Sequence, residues 1–361
     1  MAFFHYNNIH IAGIASAVPS QRVSVDSFSE SFGREMVNKF SKMTGVKEFR
    51  KTKEFQTASD LGYAAAENIL TEKKIDRNEI DALVFIAHSV DYRRPATACV
   101  LHKRLALSKD CATFDIGLGC SATVYGLQVI GSMMANSDIS KALLITGESL
   151  TKMVNPKDKS VAMLFGDGGS AVLLEKKDNS EMDILLRTDG RGYDSIIAPA
   201  GGYRNMYAPL KDEVWSDGNI RNLYNTYMNG TDVFSFTITE VPKAIRDFIE
   251  KTGIGIEEYD CFAFHQANQF ISKQLAKKFK IPMEKMPLCL DRYGNTSAPA
   301  VTMALCDRYG DVCGETIKTM FCCFGVGLSW GVASATINTE DILPIIESDE
   351  IFLEGIINKP L

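Results

Sequence analysis

The sequence predicts an α/β protein built from two copies of one unit, because three local patterns each occur twice and in the same order. The longest pattern closes a helix, crosses a loop and enters a strand. It runs from Leu70 to Phe85 and again, 179 residues later, from Ile249 to Phe264. The other two pairs are Gly119-Cys120 with Gly294-Asn295, and residues 165–168 with 324–327, the latter two each expected to form the turn of a β-hairpin.

The first copy contains a candidate nucleophile. A β-prone run, Ala112 to Ile116, leads into a glycine-rich corner, and Cys120 stands where a helix extending to about Ala135 is predicted to begin. Backbone N–H groups and the positive end of the helix dipole favour the thiolate of a cysteine in this position. The alternative is that Cys120, like most free cysteines, fills the core as a small hydrophobic side chain.

The repeat directs two further polar side chains towards that cysteine. Asn295 is the counterpart of Cys120, so both are expected at the mouth of a helix that follows a strand. His265 follows the predicted strand Cys261 to Phe264, and α/β sheets build their sites at the carboxyl ends of strands. Either side chain alone could be structural, the histidine as a strand-end residue and the asparagine as a turn residue or helix cap. Together the three favour a catalytic site.

Other reactive side chains are interpreted as structural. His88 lies two residues beyond Ile86, the counterpart of His265 in the repeat, and neither it nor the remaining histidines are given a role. Cys322 and Cys323 alternate across a predicted core strand and are interpreted as packing. The glycine-rich run at 165–169 lacks the Lys-Ser/Thr of a phosphate-binding loop.

Composition narrows the class of protein. The chain has 361 residues, of which 45% are apolar and 23% charged, as in ordinary globular proteins. Its first residues show no basic region followed by an apolar core, and its nine cysteines lack paired Cys-x-x-Cys spacing. We therefore expect a cytoplasmic protein with reduced thiols, no signal peptide and no zinc site. The uncharged stretch Ile116 to Ser137 contains polar residues and begins as a strand, so it is not expected to span a membrane.

Charge is distributed unevenly along the chain. The net charge is −6, and residues 338–361 carry −5 of it, so the rest of the protein is nearly neutral, which argues against nucleic-acid binding. This C-terminal extension alternates Ile, Leu and Phe with acidic residues and is too apolar for plain disorder. We expect it to pack on the body of the protein or on a partner subunit. The predicted domains are 1–178, 179–337 and the extension 338–361.

Five motifs resemble those of one enzyme family. They are Gly119–Ala122, Phe165–Ala171, His265–Asn268, Tyr293–Ala298 and Phe324–Gly331, and from about residue 8 to residue 337 the chain is similar to β-ketoacyl-acyl carrier protein synthase III. The resemblance implies a thiolase-like fold, a five-layered αβαβα sandwich made of two duplicated halves, in a homodimer with the cysteine at the end of a narrow tunnel. It also implies an acyltransferase without a tightly bound cofactor, whose substrates are acyl-CoA and malonyl-acyl carrier protein.

The resemblance assigns roles to individual residues. Cys120 takes the acyl group, and His265 and Asn295 donate hydrogen bonds to the malonyl thioester oxygen while carbon dioxide leaves. The backbone N–H groups of Cys120 and Val326 form the oxyanion hole. These residue types suit the chemistry, because a cysteine thiolate attacks thioesters and is itself a good leaving group. Donors aimed at a developing negative charge stabilise the enolate.

Further residues are predicted to contact the substrate. Asn268, Phe324 and Lys159 are expected to bind substrate or CoA, with Lys159 in place of an arginine that commonly flanks the adenine in the family. Arg93 and Arg94 precede a proline, where many relatives place an apolar residue that reaches the partner's acyl pocket. Because a buried arginine needs paired acceptors, this pair predicts short or polar acyl groups. The alternative is that Arg94 points to solvent or caps the CoA phosphates at the tunnel mouth, with no effect on chain length.

A docking surface for the carrier protein is predicted on the helix Asn268 to Lys280. Its apolar and basic residues fall on opposite faces at 100° per residue. A cationic stripe beside the catalytic histidine suits an acidic carrier protein, and an ordinary solvated face is the alternative. The apolar face carries Ile271, Leu275 and Phe279, and the basic face carries Lys273, Lys277 and Lys280.

The leading hypothesis is a decarboxylating condensing enzyme of a specialised lipid, polyketide or secondary-metabolite pathway. Two departures from the family suggest the specialised role: the adenine-stacking tryptophan is missing near Lys39, with Phe40 as the nearest aromatic residue, and the segment Tyr193 to Tyr227 is long and aromatic. One alternative is an acyltransferase of the same fold that passes its acyl group to an amine or hydroxyl without decarboxylation. The other is a non-catalytic partner subunit, which typically lacks the cysteine.

Overall fold

The computed structural model describes residues 1–357, in which helices and strands alternate. Up to residue 148 the elements are β1 (Ala2–Val18), β2 (Arg22–Ser24), α1 (Ser29–Phe32), α2 (Arg34–Thr44), β3 (Glu48–Arg50), α3 (Ala58–Glu72), β4 (Ala82–Ile86), α4 (Thr97–Arg104), β5 (Ala112–Ile116), α5 (Ala122–Ala135) and β6 (Lys141–Glu148). They continue with β7 (Gly168–Thr188), β8 (Ile196–Ile197), β9 (Glu213–Val214), β10 (Ile220–Arg221), β11 (Tyr227–Met228), α6 (Gly230–Thr252), β12 (Cys261–Phe264), α7 (Gln269–Phe279), α8 (Leu290–Tyr293), α9 (Ala300–Tyr309), β13 (Thr316–Gly325), β14 (Ser329–Asn338) and β15 (Ile346–Glu347).

The longest predicted repeat is confirmed. α3 is followed by a 3₁₀ turn at Arg77–Glu79 and then by β4, while α6 is followed by a 3₁₀ turn at Ile256–Glu258 and then by β12. Both strands are fully buried, and their successive side chains point into two different core regions. This alternation is required of a strand that is covered on both faces.

The helices form three layers separated by sheet, which confirms the predicted five-layered αβαβα sandwich. The strand order is β12-β13-β14-β7-β6-β4-β5, with β1 paired to β7 and β15 paired to β1. α5 and α9 share one core with residues from both ends of this sheet, and so form the middle layer. α3 and α4 cover the outer face of β4 and β6, and α6 and α7 cover the outer face of β12 to β14.

Two long strands run through both halves of the molecule. In β1, Ala2–Asn7 pairs with Glu181–Leu186, whereas Ile9–Ala17 pairs with Gly169–Lys176, and the register shifts between Asn7 and Ile9. β7 therefore crosses the predicted boundary at 178/179 without interruption, and the beginning of the chain pairs with the second half. The division into 1–178 and 179–337 stays a prediction.

The expectation of two matching hairpin turns is half right. Residues 324–327 lie at the turn between the antiparallel strands β13 and β14. Residues 165–168 do not form such a turn: β6 and β7 are antiparallel neighbours, but the long connection 149–167 separates them. The inserted residues instead bring Phe165 into a bridge with Asn295.

Residues 338–357 of the C-terminal extension pack on the body of their own chain, one of the two placements expected for the extension, and its last residues, 358–361, lie outside the described part of the chain. β15 adds to β1 as a parallel strand, and Glu347 accepts a 2.8 Å hydrogen bond from the buried guanidinium of Arg50. Further along, the Phe352 N–H donates to Asp60, and its ring lies 4.9 Å from the Arg104 guanidinium. In this segment the acidic residue Glu347 thus forms an ion pair with the body, and the apolar residue Phe352 packs against it.

The aromatic segment Tyr193 to Tyr227 is anchored by a buried cation. Arg221 is fully buried, and its Nε lies 2.7 Å from the equally buried carboxylate of Asp158. Its guanidinium also pairs with Asp217 at 2.8 Å and lies 5.0 and 5.2 Å from the ring centroids of Trp215 and Tyr227, which stack on each other. The ion pairs and stacked rings hold this otherwise irregular segment against the body.

The uncharged stretch Ile116 to Ser137 is not one apolar helix. It begins at the end of β5, turns at Cys120 and continues into α5. Within residues 1–357, no helix combines the length and the apolar character needed to cross a membrane.

The buried ion pair generates a prediction about stability. Arg221→Leu leaves Asp158 buried without its cation, so the variant should lose about 3–5 kcal/mol of unfolding free energy in urea denaturation. Arg191→Leu is the matched control: Arg191 is 90% exposed in its pair with Asp189, so water screens that pair and its loss should have little effect on the unfolding free energy. Equal losses in the two variants would contradict the anchoring role.

Candidate active site

A single cavity of about 900 Å³ collects most of the predicted site residues. It opens beside α2 and α7 and has mainly apolar walls, which include Leu150, Ile196 and Val233. Seven of the predicted residues line it: Cys120, Lys159, His265, Asn268, Asn295, Phe324 and Val326.

Cys120 lies at the corner between β5 and α5. β5 has the predicted bounds, whereas α5 begins at Ala122, two residues later than expected, so the cysteine occupies the turn before the helix. Its Sγ lies 3.3 Å from the hydroxyl of Ser297. A Cβ atom at position 325 would lie only 2.6 Å from the Cβ of Cys120, so Gly325 is required for this close approach.

The expected thiolate-favouring environment is wrong in its net direction. Burial raises the pKa of the Cys120 thiol above its usual value of 9.0, because the thiolate loses solvation. Hydrogen bonds from Ser297 and from the backbone N–H groups of Val326 and Cys120 lower this pKa, but they do not outweigh burial. The site therefore holds a neutral thiol together with the donors that would stabilise its anion.

The predicted oxyanion donors lie close to the sulfur. The N–H groups of Val326 and Cys120 both donate hydrogen bonds to the Sγ, and these bonds lower the pKa of the thiol. The turn that carries Val326 is tied to the start of α5, because Ser329 Oγ donates to the Val326 carbonyl at 2.8 Å and Ser121 Oγ donates to Ser329 Oγ at 2.7 Å. The end of β5, the β13–β14 turn and the start of α5 thus converge beside the sulfur.

His265 follows β12, whose bounds match the prediction. Its backbone N–H donates to the Cys322 carbonyl at 2.8 Å, and its ring packs edge-on against Phe324, with the centroids 5.3 Å apart. The side chain is 2% exposed, and its Nδ1 is buried without a hydrogen-bonding partner in residues 1–357. Burial lowers the pKa of His265 to about 4, so the imidazole is neutral at ordinary pH and can donate one N–H.

Asn295 reaches the cavity by a different route from the one expected. It follows the one-turn helix α8 rather than a strand, and α9 begins five residues later, at Ala300, so Asn295 does not cap that helix. Its Oδ1 accepts from the Ser297 N–H at 2.9 Å, which leaves the Nδ2 donors free apart from a long 3.5 Å contact with the Ala267 carbonyl. Asn295 thus lines the same cavity as Cys120 and His265.

Sequence reasoning passed over three residues of this site. Ser297 contacts the sulfur and lay within a motif already noted. Gln266 is buried beside His265 and accepts from the backbone N–H groups of Cys289 and Leu290 at 2.8 and 3.1 Å, which joins the end of β12 to α8. His88 lines the cavity although its position in the repeat argued against a role. Its place beyond the carboxyl end of β4 was the available signal.

Five predicted residues lie outside the cavity. Arg93 and Arg94 are exposed, and Arg93 donates to the Gly201 carbonyl at 3.0 Å. The roles given to them through a partner subunit stay predictions. Ile271 and Leu275 of α7 are buried, as predicted. The three lysines of the predicted docking surface are exposed: Lys273 and Lys277 on α7, and Lys280 at its C-cap.

Asn268 has a structural as well as a cavity-lining position. It caps α7, its Oδ1 accepting from the Ile271 N–H at 2.8 Å, and its side chain borders the cavity. Phe40, the nearest aromatic residue to the missing tryptophan, and Lys159 also line the cavity, near the exposed side chains of Met43 and Phe270.

Comparison with known proteins identifies this arrangement. The family profile of 3-oxoacyl-[acyl-carrier-protein] synthase III matches residues 114–190, and its C-terminal counterpart matches residues 249–337. A β-ketoacyl-[acyl-carrier-protein] synthase III of Clostridium acetobutylicum is 30% identical over 90% of this chain and 97% of its own length. The chain belongs to the β-ketoacyl-acyl carrier protein synthase III family.

Other members agree with this assignment. A synthase III of Caldanaerobacter subterraneus is 32% identical over 80% of this chain and 85% of its own length. The crystal structure of a 3-oxoacyl-(acyl-carrier protein) synthase from Burkholderia xenovorans superposes with a TM-score of 0.90 at 33% identity, over 96% of this chain and 99% of that one. The predicted fold class and the enzyme class, an acyltransferase, are confirmed by these relatives.

Synthase III enzymes need no tightly bound cofactor, in keeping with the expectation from the sequence. In the part of the chain that the structure describes, His, Cys, Asp and Glu side chains do not gather in groups of three or more that could hold a metal ion. The polar groups of the synthase III cavity are thus those of the chain itself.

The buried imidazole makes the stability of this synthase III chain depend on pH. The folded-state pKa of His265, about 4, lies below the 6.5 of an exposed histidine, so the unfolded chain binds the proton first as pH falls. The stability that the neutral ring contributes is therefore present above pH 6.5 and lost between about pH 6.5 and 4. Between about pH 7 and pH 4, wild type should lose about 3 kcal/mol more unfolding free energy than His265→Gln.

Urea denaturation of both proteins at the two pH values checks this difference. The glutamine variant removes the titrating group while keeping a polar side chain in the cavity. Parallel pH dependence in wild type and variant would contradict the burial of a neutral imidazole at position 265.

Proposed function

We propose that this chain takes an acyl group from acyl-CoA onto Cys120 and condenses it with malonyl-acyl carrier protein, releasing carbon dioxide and 3-oxoacyl-acyl carrier protein. The observation that carries the proposal is the convergence of Cys120, His265 and Asn295 in one apolar cavity. A nucleophile and two neutral hydrogen-bond donors in a water-poor space are what a decarboxylating condensation needs.

Acylation uses the sulfur and the backbone donors. The Cys120 thiol gives its proton to solvent, its thiolate attacks the acyl-CoA carbonyl, and the negative oxygen accepts from the N–H groups of Cys120 and Val326. The carbon–sulfur bond to CoA then breaks, and the CoA thiolate leaves and takes up a proton. Because burial raises the pKa of the thiol, this step should be assisted by the same donors that lower it. The Ser297 hydroxyl, 3.3 Å from Sγ, is placed to hold the sulfur in the attacking position.

Condensation uses the two side-chain donors. His265 and Asn295 donate to the malonyl thioester oxygen as the carbon–carbon bond to the carboxylate breaks and carbon dioxide leaves. The resulting enolate attacks the acyl carbonyl on Cys120, and the cysteine thiolate leaves. A low pKa suits His265 for this role, because the ring is then neutral. It can donate a hydrogen bond without carrying a positive charge that would tighten binding of the malonyl carboxylate.

The proposed partners are an acyl carrier protein and a second copy of the chain. The exposed basic face of α7 begins beside the cavity-lining Asn268, which supports docking of an acidic carrier there. β5 is an edge strand of the sheet with partly exposed side chains at Phe114 and Ile116, and a homodimer would cover it. We also propose a specialised pathway, supported by Lys159 and Phe40 at the cavity and by the long aromatic segment.

Three single variants should separate the two half-reactions. Cys120→Ala should abolish acylation, because the nucleophile is removed while the cavity walls remain. His265→Ala and Asn295→Ala should still be acylated to some extent, whereas carbon dioxide release from malonyl-acyl carrier protein should fall at least about a hundredfold in each. Intact-protein mass spectrometry measures the first step and carbon dioxide release measures the second.

Two outcomes would overturn these assignments. An acyl adduct that forms on Cys120→Ala at the wild-type rate would place the nucleophile elsewhere. Near-normal carbon dioxide release in both donor variants would remove the enolate-stabilising role and favour plain acyl transfer to an amine or hydroxyl.

Charge reversal on α7 tests the docking surface. Replacing Lys273, Lys277 and Lys280 by glutamate should raise KM for malonyl-acyl carrier protein about tenfold or more at low salt, with acylation from acyl-CoA unchanged. The effect should shrink as ionic strength rises. A charge-matched control places glutamate at three exposed lysines of the first half, Lys74, Lys103 and Lys109. Equal KM values for the two triple variants would refute docking on α7.

A further inference from the structure

His88 is a cavity residue with no assigned task. It lies just beyond β4, lines the same cavity as Cys120, and is exposed to whatever fills that space. Its backbone N–H is bonded to Glu148, but within residues 1–357 neither imidazole nitrogen has a hydrogen-bonding partner. The ring therefore offers an unused polar group inside a mainly apolar cavity.

The imidazole lies against the residue that precedes the nucleophile. A Cβ atom at position 119 would lie 2.8 Å from Cδ2 and 3.0 Å from Nε2 of His88, and 3.0 Å from a methyl group of Val326. Gly119 thus allows the Nε2 edge of the ring to approach the backbone directly before Cys120. On its other side, the backbone at Gly119 lies against Val326, whose N–H is proposed for the oxyanion hole.

A buried carboxyl group holds this position. Glu148 is fully buried and accepts from the N–H of His88 at 3.0 Å, the N–H of Ser89 at 3.2 Å and the hydroxyl of Ser89 at 2.7 Å. The Ser89 hydroxyl in turn accepts from the Ser149 N–H at 2.9 Å. With its backbone fixed by this network, the His88 ring is presented to the cavity from a rigid support.

An acyl group bound to Cys120 would cover this imidazole and exclude water from it. A polar nitrogen that loses its water without gaining another hydrogen-bonding partner raises the free energy of the complex. A ligand oxygen within reach restores the hydrogen bond. Because the ring adjoins residue 119, such an oxygen must lie near the thioester rather than at the far end of the chain.

Resting on the proposed function, we infer that His88 is a specificity-determining residue. It hydrogen-bonds an oxygen substituent close to the thioester of the acyl group on Cys120. The enzyme therefore accepts short acyl groups that carry a hydroxyl on the third carbon in preference to their unsubstituted counterparts. The carbon–carbon bond-forming chemistry is unchanged by this choice.

The test compares 3-hydroxybutyryl-CoA with butyryl-CoA, which differ by one oxygen. Both enantiomers of the former are used, and kcat/KM for acylation of Cys120 is measured by intact-protein mass spectrometry. Wild type should favour one 3-hydroxybutyryl enantiomer about tenfold, the size expected for one hydrogen bond. His88→Leu should lose that preference, because its rate with butyryl-CoA rises once no nitrogen is left without a partner, and His88→Gln, which retains a donor and an acceptor, should recover part of the preference.

Acetyl-CoA and His5→Leu serve as the control substrate and the control variant. Acetyl-CoA has no third carbon, so wild type and His88→Leu should be acylated by it at equal rates, which reports an intact fold and nucleophile. His5→Leu removes an exposed histidine on β1 and should keep the wild-type preference.

Two outcomes would overturn the role of His88. One is equal rates in wild type for butyryl-CoA and both 3-hydroxybutyryl-CoA enantiomers, and the other is a preference that survives in His88→Leu. In either case, acylation by acetyl-CoA would leave the proposed function standing. Failure of wild type to be acylated by any of these donors would overturn both.

Discussion

The active-site geometry depends on the approach of two chain corners, one from each half of the molecule. The β13–β14 turn comes so close to the β5–α5 corner that any side chain at Gly325 would overlap Cys120. This contact sets the position of the sulfur relative to the N–H of Val326, and the hydroxyls of Ser121 and Ser329 link the turn to the helix start. Because both corners end rigid strands, small changes in how they pack would directly displace the Cys120 sulfur.

Removal of water has opposite consequences for the two titratable groups of the site. It raises the pKa of Cys120 and lowers that of His265, so both groups are neutral when the cavity is dry. A neutral imidazole keeps a hydrogen-bond donor for an oxygen that becomes negative, and donors are more effective where water is excluded. The unpaired Nδ1 of His265 is the energetic cost of that arrangement.

Two segments without long helices or strands are held to the body of the molecule by side-chain and backbone contacts. Residues 193–228 contribute Ile196, Thr226 and Met228 to the cavity wall, and the buried Arg221 holds the segment to Asp158. The C-terminal extension lies across β1, α3 and α4, where the Tyr92 hydroxyl donates to the Gly355 carbonyl. It therefore packs beside the loop that carries Arg93 and Arg94. Irregular segments can keep defined positions because charged side chains and backbone groups are satisfied there.

The sequence by itself determined the duplicated α/β architecture, the bounds of β5 and β12, the two faces of α7 and the selection of Cys120, His265 and Asn295, which line one cavity and whose catalytic roles stay predictions. These features are written in local periodicity, glycine corners and repeated motifs, which neighbouring residues alone can specify. Only the tertiary structure decided the direction of the Cys120 pKa, the Asn295 contact with Ser297, the opening of His88 into the cavity and the packing of the extension on its own chain. Each of these depends on desolvation or contact by residues distant in the sequence, and no local pattern encodes how closely such residues approach.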